Sequence, residues 1–142
     1  MTGAGLVVRS YEARDETAVI ALWREAFQDD PPRNAPELVI RRKLTVQPEL
    51  LLVGELAGTV VAAVVAGFDG FRGWIHHLAV APEHRSQGFG RALVFEAEAR
   101  LRTLGCPKVN LQVRASNAGV AEFYRRLGYQ VEERLSFGKD LA

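Results

Sequence analysis

The chain predicts a mixed α/β (α+β) domain, and three observations carry that prediction. Two leucine- and valine-rich runs flank an Ala57-Gly58 pair, the mark of a tight antiparallel hairpin. Strand, helix and strand follow one another over residues 74 to 113, a crossover whose two strands should run parallel. Val19, Leu22, Trp23, Ala26 and Phe27 recur at the i, i+3, i+4, i+7, i+8 spacing of an amphipathic helix. The expected architecture is a mixed, mostly antiparallel sheet of six to seven strands with helices on both faces.

Each element has its own signal. Leu6 to Arg9 is an apolar run suited to a first strand, and Asp15 is a possible N-cap for the first helix, which ends near Gln28. Three prolines and an asparagine between Asp29 and Pro36 require a loop, leaving Glu37 to Thr45 as a short second helix. Leu50 to Glu55, Thr59 to Gly67 and, after a turn at 68–73, Trp74 to Ala81 form an antiparallel meander. Phe89, Leu93, Ala97, Leu101 and Leu104 mark one face of a long helix closed by Gly105. Val109 to Val113 is the next strand, Val120, Phe123, Tyr124 and Leu127 form a helix ended by Gly128, and Tyr129 to Leu135 with Ser136 to Leu141 are expected to close the sheet as a hairpin.

Composition narrows the function. With 142 residues, no internal repeat and no long linker, residues 1–142 are expected to form one domain. Apolar residues are 48% and charged residues 25%, which excludes disordered and collagen-like classes. No apolar run reaches the roughly 18 residues of a membrane span, and no secretory signal is visible, so the expectation is a soluble cytoplasmic protein. A net charge of +1 with interleaved signs lacks the footprint of a nucleic-acid binder, and Arg41, Arg42 and Lys43 read as a solvated helix face. Cys106, the one cysteine, allows neither an internal disulfide nor a multi-cysteine metal site and reads as a small packed thiol, so no metal is expected.

The segment Arg85-Ser86-Gln87-Gly88-Phe89-Gly90-Arg91-Ala92 lies where a strand end meets a helix start. Gly88 and Gly90 lack Cβ atoms, so the backbone can turn sharply and bring N–H groups close to an anion. The new helix adds four orphan N–H groups and about half a positive charge from its macrodipole, a seat suited to a pyrophosphate. Arg85 or Arg91 can supply a charge-assisted bond to the same oxygens. No G-K-S or G-K-T follows, and a dinucleotide fingerprint would need three glycines on an early βα turn.

Arg85-x-x-Gly88-x-Gly90 after Leu78-Ala79-Val80, then Asn117, Phe123-Tyr124 and Leu127-Gly128-Tyr129, resembles the GNAT superfamily of acetyltransferases over about residues 6 to 135. The Gly105-Cys106-Pro107-Lys108 entry into the following strand is similar, less specifically, to a small bacterial YpeA-type subgroup. The resemblance implies a GNAT fold, acetyl-CoA as co-substrate and an amine as acceptor. It places the CoA pyrophosphate on the Arg85 to Ala92 turn, the CoA arm beside Asn117, and the pantetheine as a pseudo-strand against the backbone of Leu78 and Val80, where main-chain N–H polarises the thioester carbonyl. It makes Tyr124 the general acid for the leaving thiolate, a role suited to a phenol protonated at neutral pH.

The base is less determined. Some family members carry a glutamate early on this strand, where Trp74 stands here; arylalkylamine acetyltransferases carry H-x-H-x-L-A-V, and His76 falls on their second histidine. His76 is therefore the candidate base, with His77 expected on the opposite face unless a bulge exchanges them, and His84 is expected to be exposed beside the turn. Asp29, Asp30, Arg33 and Asp69 lie in the loops that select substrate in this family, and they are also ordinary turn residues. A non-catalytic acyl-CoA-binding regulatory domain is the alternative, and either a monomer or a homodimer is compatible with an exposed terminal strand.

Overall fold

The computed structural model describes residues 5–141, which divide into two units with the boundary between Gln112 and Val113. The larger unit contains β1 (Leu6–Ser10), α1 (Glu16–Ala26), α2 (Pro36–Lys43), β2 (Leu51–Leu56), β3 (Thr59–Phe68), β4 (Gly73–Val80), α3 (Phe89–Thr103) and β5 (Val109–Leu111). Its sheet runs β1-β2-β3-β4-β5, antiparallel except for the parallel β4–β5 pair that the crossover through α3 dictates.

Both faces are covered. On one, Val19, Leu22 and Trp23 of α1 and Ile40 of α2 pack against Leu51, Val53, Ala63, Val65 and Ala79 of the sheet, all nearly or fully buried. On the other lies α3: a Cβ added to Gly54 would stand 3.0 Å from Leu93, and one added to Gly73 would stand 3.1 Å from Leu101 and 2.8 Å from the Cys106 sulfur. Glycine in these two strands is therefore a packing requirement, and the thiol fills the space it leaves. An ion-paired cluster ties β1 to the entry of α1: Nη1 and Nη2 of Arg9 donate to the buried carboxylate of Asp15, at 2.8 and 2.9 Å, and Nη2 and Nε donate to Glu55, at 2.8 and 3.1 Å. This holds the Asp15 carboxyl below its usual pKa, with the Arg9 hydrogen bonds the leading cause.

The smaller unit contains α4 (Ala118–Arg126), capped by Asn117, whose side chain accepts from Val120 N–H at 3.2 Å. The expected terminal hairpin is absent: residues 129–141 form no strand, so the described sheet has five strands instead of six or seven. Glu132, Glu133 and Arg134 interrupt the alternation a strand needs, and the apolar side chains around them are open to solvent, Leu135 at 85% and Phe137 at 90%.

Candidate active site

The segment expected to seat an anion leads into α3. Gly88 is the N-cap with φ of 83°, a left-handed conformation that glycine adopts without strain. Ser86 adopts φ of 63°, so the turn reverses twice within three residues. The bond from Ala92 N–H to Gly88 C=O, at 3.0 Å, is the first of the helix, which leaves the N–H groups of Phe89, Gly90 and Arg91 without helical partners. Phe89 is buried and anchors the turn, while Ser86 is exposed and Gln87 half-buried.

The two arginines are placed differently. Arg85 folds back, donating from Nε to the Val80 carbonyl at 3.1 Å and from Nη2 to Glu25 at 3.0 Å. Arg91 lies over the Phe95 ring, 5.0 Å from its centroid. His84 is half-buried, not exposed as expected, because its ring lies 6.0 Å from that of Phe89.

β4 has an open outer edge where it approaches this turn. Its pairing with β5 covers only Gly73, Trp74 and Ile75. Ala81 N–H donates to Val61 C=O, and narrow and wide pairs alternate along an antiparallel ladder, so the Val80 amide and carbonyl face away from β3. Arg85 occupies that carbonyl; the amide points to the same open edge.

In the middle of β4 the ladder breaks. Val65 pairs with His76 and Ala63 with Ala79, so two steps on β3 match three on β4, and His77 takes φ of 55°. Trp23 of α1 donates from Nε1 to the His77 carbonyl at 2.9 Å. Because the peptide is planar and trans, the Leu78 N–H points away from Trp23.

This bulge overturns the expected alternation of the histidines. His77 packs its ring edge-on against Trp23 and Phe27 of the α1 face, at 5.2 and 4.9 Å. His76 shares that face through its pairing with Val65, whose side chain belongs to the α1 and α2 core. Their environments differ: His76 is exposed and stacks on Trp74, at 6.3 Å and 13°, while His77 keeps 15% of its side chain exposed, with Nε2 buried 3.5 Å from Asp30. Both rings have pKa values below the usual histidine range. Desolvation leads in each; the charge of Lys43 adds to the effect at His76, and Asp30 opposes it at His77.

Other candidates sort by their contacts. Asp69 Oδ1 accepts from the N–H groups of Phe71 and Arg72, at 2.8 and 2.7 Å, and Oδ2 from Trp74 Nε1 at 3.2 Å, so this carboxylate organises its own turn. Arg41 and Arg42 form the expected exposed helix face, whereas Lys43 is half-buried with its pKa lowered by desolvation. Sequence reasoning missed this lysine because Gly67, where an added Cβ would stand 3.5 Å from its Nζ, belongs to β3.

In the smaller unit, Tyr124 is 8% exposed, its ring edge-on to Phe123 and Tyr129 at 5.0 and 5.6 Å. Burial pushes its phenol up to about 12, keeping it protonated at neutral pH. Asn117 serves as the α4 cap, which commits its oxygen and leaves its amide NH2 as a donor.

Residues 16–129 match the Acetyltransferase (GNAT) family. An acetyltransferase of Yersinia pestis (strain Pestoides F) is 41% identical over 134 residues, 94% of both chains, and one of Pectobacterium atrosepticum is 40% identical over the same share. Among solved structures, the aminoglycoside acetyltransferase AAC(6')-Iy, bound to a CoA bisubstrate analogue, superimposes with a TM-score of 0.79 at 15% identity, covering 96% of this chain and 99% of that one. Ard1 from Thermoplasma volcanium gives 0.78 at 23% identity, over 91% and 85%. At such identities the structural likeness speaks for the fold. The family match across most of the chain and the 41% identity carry the assignment: this chain belongs to the GNAT family of acetyltransferases.

Proposed function

We propose that residues 1–142 act as a single N-acetyltransferase domain that moves an acetyl group from acetyl-CoA to a primary amine by direct attack on the thioester. The observation that carries the reading is the row of N–H groups at Phe89, Gly90 and Arg91, without a hydrogen-bond partner among the described residues, beside a β4 edge released from β5 after Ile75. The first suits a pyrophosphate and the second an extended pantetheine arm. Ser86, Gln87, Gly88 and Ala92 complete the turn, Arg85 and Arg91 supply positive charge near it, and Asn117 offers its amide to the CoA arm.

In the reaction the amine nitrogen attacks the carbonyl carbon, a C–N bond forms, and the C–S bond breaks. Backbone N–H at Leu78 stabilises the developing oxyanion. Tyr124 gives its proton to the departing thiolate, and the amine's surplus proton leaves toward His76, the exposed ring of β4. Its pKa, lowered chiefly by desolvation, leaves this ring neutral and able to take a proton at pH 7.

The test is free-thiol release from acetyl-CoA with polyamines, aminoglycosides, amino acids and N-terminal peptides as acceptors. Tyr124→Phe should lower kcat by about 100-fold, within the range for a lost general acid, with acetyl-CoA affinity unchanged. Tight acetyl-CoA binding with no turnover on any acceptor would instead indicate a binding domain.

A further inference from the structure

Lys43 carries an amine that the proposed mechanism does not use. It sits half-buried in the last turn of α2, with its Nζ 3.5 Å from where a Cβ added to Gly67 of β3 would stand. Among the described residues it makes no hydrogen bond or ion pair, and Glu49 acts on it only through its field. Gln47, whose Oε1 lies equally close to that position, is committed elsewhere: Oε1 accepts from Phe68 N–H and Nε2 donates to Phe68 C=O, both at 2.9 Å. Burial without a partner disfavours the ammonium form and holds the pKa of this lysine below its usual value. The free amine is therefore more available here than on a solvated lysine.

The groups around Lys43 are those of the acetyl-transfer reading. Gly67 pairs with Trp74, and His76, two residues along the same strand, stacks on Trp74 and feels the charge of Lys43. Leu78, whose N–H meets the oxyanion in that reading, lies two residues beyond His76, about 7 Å at ordinary strand rise. A flexible four-carbon stem lets the lysine amine swing from Gly67 past the exposed His76 ring toward that carbonyl.

We propose that Lys43 is a self-acetylation site, its amine taking the acetyl group of acetyl-CoA seated along β4 of the same chain. The neutral Nζ attacks the thioester carbonyl carbon, a C–N bond forms, the C–S bond breaks, and the sulfur leaves as the CoA thiolate. The nitrogen's surplus proton passes to His76. The product amide does not titrate, so acetylation removes the positive charge beside His76. The inference rests on the acetyltransferase reading for its donor and adds an acceptor within the chain.

The full chain is incubated with acetyl-CoA and no added amine, and acetylation of its three lysines, Lys43, Lys108 and Lys139, is followed by peptide mass spectrometry. Lys108 and Lys139 are exposed and serve as internal references. Lys43 should react at least about tenfold faster than either, a small part of what holding two reactants together can supply. Excess CoA should suppress labelling of Lys43 and not of the references, and the rate per molecule should survive dilution of the protein. His76→Gln should slow the reaction at Lys43 at least about tenfold, the loss expected for a proton acceptor. Labelling of Lys43 no faster than the references, indifferent to CoA, proportional to protein concentration, or undiminished in His76→Gln each overturns the proposal. If His76→Gln does not fold, the first three measurements on the unaltered chain still decide. Acetyl-CoA binding is measured by calorimetry alongside: binding without acetylation of Lys43 sinks self-acetylation alone, whereas no binding sinks the acetyltransferase reading with it.

Discussion

Two stretches of irregular backbone meet at this site, and they arise in opposite ways. The turn into α3 is written in its own residues: Gly88 takes φ of 83° because it has no Cβ, and the helix begins at the next residue. The bulge in β4 contains no glycine. His77 takes φ of 55° where a β-carbon resists it, and a hydrogen bond from Trp23, 54 residues away, is among the contacts that hold it there. A turn built on local permissiveness can be read from letters, whereas a turn imposed by tertiary contacts cannot.

The largest effect expected from breaking this contrast comes at Gly88. Gly88→Val puts a β-branched side chain into left-handed backbone, at a cost of roughly 1–2 kcal/mol, and crowds the approach of an anion to the α3 amides. Calorimetric titration should show acetyl-CoA affinity falling by more than about tenfold, with the thermal midpoint lowered. Undiminished affinity would mean that the pyrophosphate sits elsewhere.

The same distinction explains how far the sequence was legible. Apolar spacing, leucine- and valine-rich runs and turn residues located the four α-helices and five strands of the described residues, because all of these are local properties. It misled at 129–141, where valine, leucine and phenylalanine suggest strands but pairing requires a partner edge and an unbroken alternation. The glycines of the α3 turn were readable; the diversion of Arg85 toward Glu25 was not, since those residues are 60 positions apart. His76 and His77 look interchangeable as letters. Only the register change beside Val64 separates an exposed ring from one locked against α1.

An intermediate effect is expected at Trp23. Trp23→Phe keeps most of the apolar packing and removes the donor to the His77 carbonyl, which should cost about 1–1.5 kcal/mol by urea denaturation. It should also broaden or shift the backbone amides of His77 and Leu78, while the amides of residues 88–92 stay in place. Equal perturbation of both stretches would show that the bulge and the turn are not independent.

The smallest effect distinguishes the two histidines. Each has a folded pKa below the unfolded value of about 6.5, so each favours the folded state fully above that pH, and the contribution is lost as pH falls below it and the unfolded chain takes up the proton first. Stability should therefore decline between about pH 7.5 and 5.5. Asp15 does not blur this window: its depressed pKa contributes above an unfolded value of about 3.9 and is lost only in stronger acid. His77→Gln should flatten the decline by less than about 1 kcal/mol, and His76→Gln by less again, because water screens the exposed ring. Urea midpoints that fall equally in both variants and in the unaltered chain would show that the bulge, for all its distortion of β4, leaves the two rings electrostatically alike.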